Sequence, residues 1–459
     1  MAIEQDIQIQ EAWEKTSKIL AKHSAGSINR LFRPSPGSEL SRLYYPRLDI
    51  VEPAKIDSYH QALRSLDRQL ANGFSQTSIM QQMLEEKIQK RLNVSQLIKA
   101  ATEIQSANRK ERVNQKAISS FISTNKALYG EPNLDRVRDV AIAFYRLVER
   151  YSRLNMTEDK RRAWVYLKNQ IKDDRFPAKK LVRPDSSHDQ ELAAAIRSWA
   201  ISRYPREIGI IQRLESTKTY KAKEIQQIFQ DLLKSTDWQV VYSRHNLSVS
   251  VSATHHKVHL PANFSRSGYD SRTLLAHEYF GHIKRAQNAE RIGFGLLQSG
   301  LPDYGYFEEP FASLLGRVLG VNQQKIRPRG RELYLAVALA KGHVTGQPLN
   351  APQVYEILWR YLMLRGRKTG SMSTQDYQQQ ARTLTLRVFR GTPGTIPGLV
   401  LTKDIAYFEH FNDVKKAFSD QYRTNQLEQW LDFVMLGKFN PLIESHVQLV
   451  NKLKGSAKR

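Results

Sequence analysis

The chain has 459 residues and no cysteine, which excludes disulfides and thiolate metal ligands, so any metal must rest on His, Asp or Glu. Hydrophobic residues at 41% and charged residues at 25% leave room for a sizeable core and exclude a globally disordered chain. The formal net charge of +25 draws anionic partners: nucleic acid, acidic peptide tails or an anionic membrane surface. The opening MAIEQDIQIQ is polar, unlike a secretory leader. The longest apolar stretch, LYLAVALA (333–340), is too short to span a bilayer. A cytoplasmic protein without a membrane span is therefore expected.

Residues 5–22 and 53–127 are rich in Gln, Lys, Glu and Leu at helical spacing, with a break at FRPSPGSEL (32–40). This predicts a helical N-terminal region over 1–127, followed by a second domain over 128–459. Within 133–154, Val137, Val140, Ala141, Phe144, Leu147 and Val148 share one face of an amphipathic helix. The next helix is expected over 156–174, with Thr157 as N-cap and Glu158 and Asp159 in the first turn, where acids suit the helix dipole. FPAKKLVRP (176–184) reads as a loop, and helices follow near 189–203 and 220–234. The period then changes: DWQVVYS, NLSVSVSA and HKVHLPA, within 237–262, alternate like strands, with SRHN as a turn. The last third reads as helical, broken at IRPRG (326–330) and GTPGTIPG (391–398). The fold class is α+β, mostly helical, with a small β-sheet next to a helix that carries the most distinctive motif.

That motif is LLAHEYFGHIKRA (274–286), in which His282 follows His277 by five residues. Each residue of an α-helix turns the chain by ~100°, so side chains five apart diverge by about 140°. A π-type turn, with its i→i+5 closure, brings them back into line, and Gly281 sits where such a turn would open. Asp270 or Ser271 is expected to cap this helix, with Leu274, Leu275 and Ala276 packing inward. Glu278 follows His277 directly, as in peptidases where that carboxylate takes a proton from a zinc-bound water. Taken alone, the motif reads first as two ordinary helical histidines. Catalytic zinc takes three protein ligands, and a glutamate from a second helix is the usual third. SGLPDYGYFEEPFASLLGRVLG (299–320) offers Glu308 and Glu309, with Pro310 after them. The plain alternative is acids at a helix N-terminus with proline in the first turn.

These blocks resemble the family of microtubule-associated tyrosine carboxypeptidases and the bacterial proteins named for a QEGLA motif. The matching segments are His277–His282, FGLLQSGLPDY (294–304) and EEPFA (308–312). ALYGEP (127–132) and RVFRGTPGTIPGLVLTKDIAYFEHFNDVKKAF (387–418) extend the likeness over about 125–420. The resemblance implies a zincin-like active site in which His277, His282 and Glu309 hold Zn2+ and Glu278 is the general base. Here Pro310-Phe311 replaces the family's Gly-Leu. Proline disfavours the α region at the residue before it, so Glu309 is expected at the cap, with Glu308 the less favoured ligand.

A carboxypeptidase must also hold a terminal carboxylate, which cations do well. In the matching C-terminal block, Arg387, Arg390, Lys403 and Tyr407 are candidates. Arg390 and Lys403 are the favoured substrate-binding cations, and Tyr407 is a donor to the oxyanion. THHKVHL (254–260) cannot turn three histidines one way, since strand side chains alternate. It is expected instead to flank the cleft as an edge that pairs with substrate backbone. The basic stretches at 109–116 and 158–168 read as solvated helix faces. The function expected is a zinc metallopeptidase, a carboxypeptidase trimming C-terminal residues from peptide or protein tails, acidic tails included. The alternative is a non-catalytic basic protein that binds nucleic acid or an acidic partner on a protease-like fold, although no nucleic-acid motif supports it. A structural zinc site would need a fourth protein ligand, for which no candidate stands out.

Overall fold

A computed structural model describes residues 53–73, 79–110, 112–152, 154–170, 186–243, 249–321, 330–366 and 373–456. The elements expected at 5–22, 32–40 and 176–184, most of the SRHN turn and most of IRPRG lie outside the described residues.

The structure is 72% helical with a few small sheets, as its patterning requires. Three N-terminal helices come first: α1 (Pro53–Gly73), α2 (Ile79–Arg109) and α3 (Gln115–Tyr129). They are followed by α4 (Leu134–Tyr151), α5 (Glu158–Asn169), α6 (Ser186–Arg203) and α7 (Pro205–Gln212). Val137, Val140, Ala141, Phe144 and Val148 bury the expected face of α4. Thr157 is the N-cap of α5, although its side chain makes no capping bond. The helix near 220–234 is α8 (Ala222–Leu232), preceded by a short strand, β1 (Thr219–Lys221).

The strands β2 (Gln239–Ser243), β3 (Ser250–Ser252) and β4 (Lys257–Pro261) form one sheet in the order β2-β4-β3. Val240 pairs with Val258 in the parallel β2–β4 ladder, and Ser250 with His259 in the antiparallel β3–β4 ladder. The histidine-rich strand β4 is therefore central, with both edges paired, and it offers no edge to a substrate. Its outer neighbour β3 is the strand that packs on the motif helix. A second, two-stranded pairing joins β1 to β5 (Ser265–Ser267).

The chain then runs through α9 (Gly268–Ala276), a π-helix (His277–Ile283) and α10 (Lys284–Ile292) as one continuous rod. The cap is Ser267, whose hydroxyl accepts from the Asp270 amide at 3.2 Å, rather than Asp270 or Ser271. The strand β5 ends at Ser267, so extended backbone reaches the cap position three residues earlier than the apolar pattern indicates. After α11 (Gly295–Ser299) comes α12 (Tyr304–Val321). The rest is α13 (Arg331–Ala340), α14 (Ala351–Arg365), α15 (Thr374–Val388), a 3₁₀ turn (Thr402–Ile405), α16 (Ala406–Glu409), α17 (Phe411–Arg423), α18 (Leu427–Val434) and α19 (Glu444–Ser456). No helix of the described residues is long and apolar enough to cross a membrane.

The largest core gathers α6–α9, the β2–β4–β3 sheet, the π-helix, α12, α17 and α18 around Trp199, Phe229, Phe280, Phe307 and Phe311. The N-terminal helices share cores with much later segments. Met83, Leu84 and Ile88 pack with Leu297, Phe439 and Leu449, while Leu97, Ile104 and Phe121 pack with Leu399 and Leu401.

One close approach dominates the centre. A Cβ placed on Gly281 would lie 2.2 Å from the Ala312 Cβ. One on Gly316 would meet the Thr273 carbonyl oxygen at 2.7 Å and the His277 Cβ at 3.1 Å, and one on Gly320 would meet the Arg272 oxygen at 2.7 Å. Ala312, Gly316 and Gly320 recur every four residues and so line one side of α12. They let that helix lie directly on α9 and the π-helix. Gly281→Ala is accordingly expected to overpack this seam and lower stability by about 1–3 kcal/mol. Adding Ala312→Gly should restore only part of the loss, because the new methyl would still lie 2.9 Å from the residue-312 Cα and a helical glycine itself costs ~1 kcal/mol. Denaturant unfolding of the two single variants and the double variant measures this. An unchanged midpoint for Gly281→Ala contradicts it.

Candidate metal centre

The five-residue gap is resolved by backbone geometry. The Lys284 amide donates to the Tyr279 carbonyl, five residues back, which is the π closure. It brings the His277 and His282 rings together at a centroid distance of 5.1 Å. Their Nε2 atoms lie 3.3 Å apart. Two nitrogens bound tetrahedrally to one zinc at ~2.05 Å would be about 3.3 Å apart.

The two glutamates of α12 divide into distinct positions. Glu309 Oε2 lies 3.8 Å from His277 Nε2 and 4.0 Å from His282 Nε2, on the side where both nitrogens converge. Glu308 turns the other way: its Oε2 is 3.1 Å from His282 Nδ1. Glu308 is 4% exposed and Glu309 30%. So Glu309 faces the accessible side, and Glu308 braces the ring from behind. Its bond to Nδ1 fixes the tautomer that leaves the Nε2 lone pair for a metal. Both glutamates lie inside α12, which starts at Tyr304 and carries Pro310 in its interior. The expectation of Glu309 at a cap, with proline in the first turn, is thus corrected. Pro310 removes one intrahelical donor, and the helix continues because its flanks, Phe307, Phe311 and Leu314, are fully anchored in the core.

Glu278 also brings a carboxylate oxygen within 4.8 Å of the imidazole nitrogens. Burial pushes its carboxyl up to about 7, with Glu309 adding to the effect and His282 opposing it. Burial alone would lower the His282 imidazole, but Glu308, Glu309 and Glu278 together raise it to about 9. Burial likewise opposes ionisation of Glu308, yet Lys438, His282 and Arg285 hold it at about 2. Three carboxylates crowd two imidazoles in a site with no thiols. This is a nitrogen and oxygen donor set that fits a divalent cation such as zinc.

The C-terminal candidates form a second cluster whose electrostatics reach Glu309. Asp404 accepts from Arg387 Nε at 2.8 Å and Nη2 at 2.9 Å, and from Arg390 Nη2 at 2.8 Å. Burial would raise the Asp404 carboxyl, but the two arginines hold it at about 2. Arg390 Nε also donates to the Arg387 carbonyl at 2.9 Å, so its guanidinium is fixed in place. Burial, reinforced by Arg390, lowers the Lys403 ammonium to about 8. Burial and Glu309 raise the Tyr407 phenol, keeping it a proton donor, and Arg387 lies 5.3 Å from the Tyr407 ring centre. The ALYGEP segment and the end of α3 hold this wall in place: Thr402 Oγ1 donates to the Gly130 carbonyl at 2.9 Å, and the Thr402 amide to Asn125 Oδ1 at 3.1 Å.

Among the described residues, His255 and His256 of the strand region are not part of this group. His255 is exposed beside Ser252 and Thr254. His256 is clamped between Asp237 and Glu290 and stacks on Trp238. Asp404, Arg285 and Lys438 were not singled out by sequence. Asp404 was discoverable as the acid beside Lys403, and Arg285 lies within the motif segment itself, three residues after His282, whereas Lys438 is a single cation with no spacing signal.

No known family model matches the sequence, and no curated protein matches it. Among solved structures, one called "putative lipoprotein from Colwellia psychrerythraea" aligns over 98% of both chains at 11% identity, with a TM-score of 0.40.

The different placements of Glu308 and Glu309 have a measurable consequence. Glu309→Gln should abolish stoichiometric zinc binding, whereas Glu308→Gln should retain one zinc with affinity reduced about 10–100-fold. Competition titration against a chromogenic chelator reads both. The reverse ranking would exchange the roles of the two glutamates.

Proposed function

We propose that this chain is a zinc metallopeptidase of carboxypeptidase type, related to the tyrosine carboxypeptidase and QEGLA family that its motifs resemble. The observation that carries the reading is the meeting of His277 Nε2, His282 Nε2 and Glu309 Oε2 within 4.0 Å of one another, with Glu308 behind. A non-catalytic basic binder leaves that buried cluster of carboxylates and imidazoles without a purpose, since burying such groups unpaired is costly.

His277, His282 and Glu309 would hold the ion. When bound, zinc supplies Lewis acidity that polarises the scissile carbonyl and acidifies a water. Glu278, adjacent to His277 with a carboxylate oxygen within 4.8 Å of the imidazole nitrogens, is placed to take a proton from the attacking water and give it to the leaving amine nitrogen. Tyr407, held protonated, can donate to the oxygen that gains charge. Lys403 and the fixed Arg390 suit a substrate's terminal carboxylate. The outer strand β3, packed on the motif helix, gives an extended peptide a backbone to lie against. The net charge of +25 favours acidic tails among the substrates.

Digesting a peptide library with the zinc-loaded chain and reading the products by mass spectrometry tests the proposal. Losses confined to C-terminal residues, reduced at least about 100-fold by Glu278→Gln, are expected. Internal cleavage would keep the peptidase and reject the carboxypeptidase. No cleavage by zinc-loaded wild type across an acid-rich library would reject both.

A further inference from the structure

Behind the candidate ligands lies a buried ionic group that the proposed chemistry does not use. Glu308 Oε1 faces two cations, Arg285 Nη1 at 3.5 Å and Lys438 Nζ at 3.5 Å. All three side chains are nearly or wholly buried: Arg285 is 0% exposed and Lys438 6%. The guanidinium sits in an aromatic box, 5.7 Å from the Phe307 ring, 5.4 Å from Phe311 and 5.9 Å from Phe439. Its Nε donates to the Val434 carbonyl at 3.2 Å and its Nη2 to the Phe439 carbonyl at 2.8 Å. Lys438 is pinned by its own backbone. Its amide donates to the Leu297 carbonyl at 2.9 Å, and its carbonyl accepts from the Leu301 amide at 2.9 Å.

Such a group is a poor way to stabilise a fold. Desolvating two cations and a carboxylate offsets most of their attraction, and apolar replacements of similar shape are often neutral or stabilising. What it does provide is direction. A carboxylate whose one oxygen faces two buried cations at 3.5 Å, attracted by their charge and not hydrogen-bonded to them, turns its other oxygen the opposite way. Here that oxygen, Oε2, meets His282 Nδ1 at 3.1 Å.

Resting on the metal-centre reading above, we infer that Lys438 and Arg285 are positioning residues for the zinc site, acting through Glu308 on His282. The segment just after α18 thereby sets metal affinity although it supplies no ligand. Groups that hydrogen-bond a metal ligand, as Glu308 does, typically change metal affinity about 10–100-fold when lost, and a cation one contact further back is expected to change it by less.

The test uses the full chain with Lys438→Met, a neutral side chain of similar length. Lys438→Gln serves if methionine prevents folding. Zinc affinity by chelator competition should fall about 3–10-fold, less than on losing Glu308 itself, while the metal-free protein still folds but melts below wild type, because one partner of a buried ionic group is gone. In a Glu308→Gln background, Lys438→Met should cause no further loss, because the route through Glu308 is already cut. A zinc affinity within twofold of wild type overturns the inference. So does an equal, additive loss in the Glu308→Gln background, which would mark a merely structural lysine. If wild type binds zinc and Lys438→Met binds it equally well, only this inference falls. If wild type binds no zinc, the metal-centre reading falls with it.

Discussion

The arrangement depends on how closely one helix can lie on another. α12 rests on α9 and the π-helix through Ala312, Gly316 and Gly320, and Gly281 opposes Ala312 with no room for a methyl group. Because the helices approach this closely, the first turns of α12 deliver Glu308 and Glu309 onto the two imidazoles. The π closure and the small-residue seam are two parts of one solution. The first turns His277 and His282 the same way, and the second brings the carboxylates within reach.

Charge is layered around that contact. Arg285, Glu308 and Lys438 are the most deeply buried, the imidazoles come next, and Glu309 lies on the accessible side. Beyond Glu309 the sign changes again at Lys403, Arg387 and Arg390, whose own spacing is set by Asp404. Each layer offsets part of the desolvation of its neighbour. The metal, when bound, would replace the protons that otherwise hold the central layer together.

Local pattern reveals much of this architecture. The mostly helical α+β class, the buried face of α4, the strands before the motif and the need for a π turn at Gly281 all follow from side-chain periodicity and helix geometry. What escaped was information carried by pairing partners far apart in sequence. The central position of β4 depends on β2 lying beside it in parallel, and nothing in THHKVHL signals that. The true cap, Ser267, depends on β5 pairing with β1. The start of α12 at Tyr304 was hidden because Pro310 reads locally as a helix opening, whereas tertiary packing of Phe307 and Phe311 carries the helix across it. The division of labour between Glu308 and Glu309 is invisible in an adjacent pair of identical residues. It appears only once Lys438 and Arg285 mark which of them faces inward.

X-ray absorption at the zinc edge, on the zinc-loaded full chain, tests most directly whether two imidazoles and one carboxylate share an ion. One zinc per chain, with two imidazole nitrogens and light oxygen donors including an exchangeable one, is the expected spectrum. It should be lost when His277 and His282 are both replaced by alanine. A closed shell of four protein ligands, or a zinc signal unchanged by that double replacement, would contradict the account.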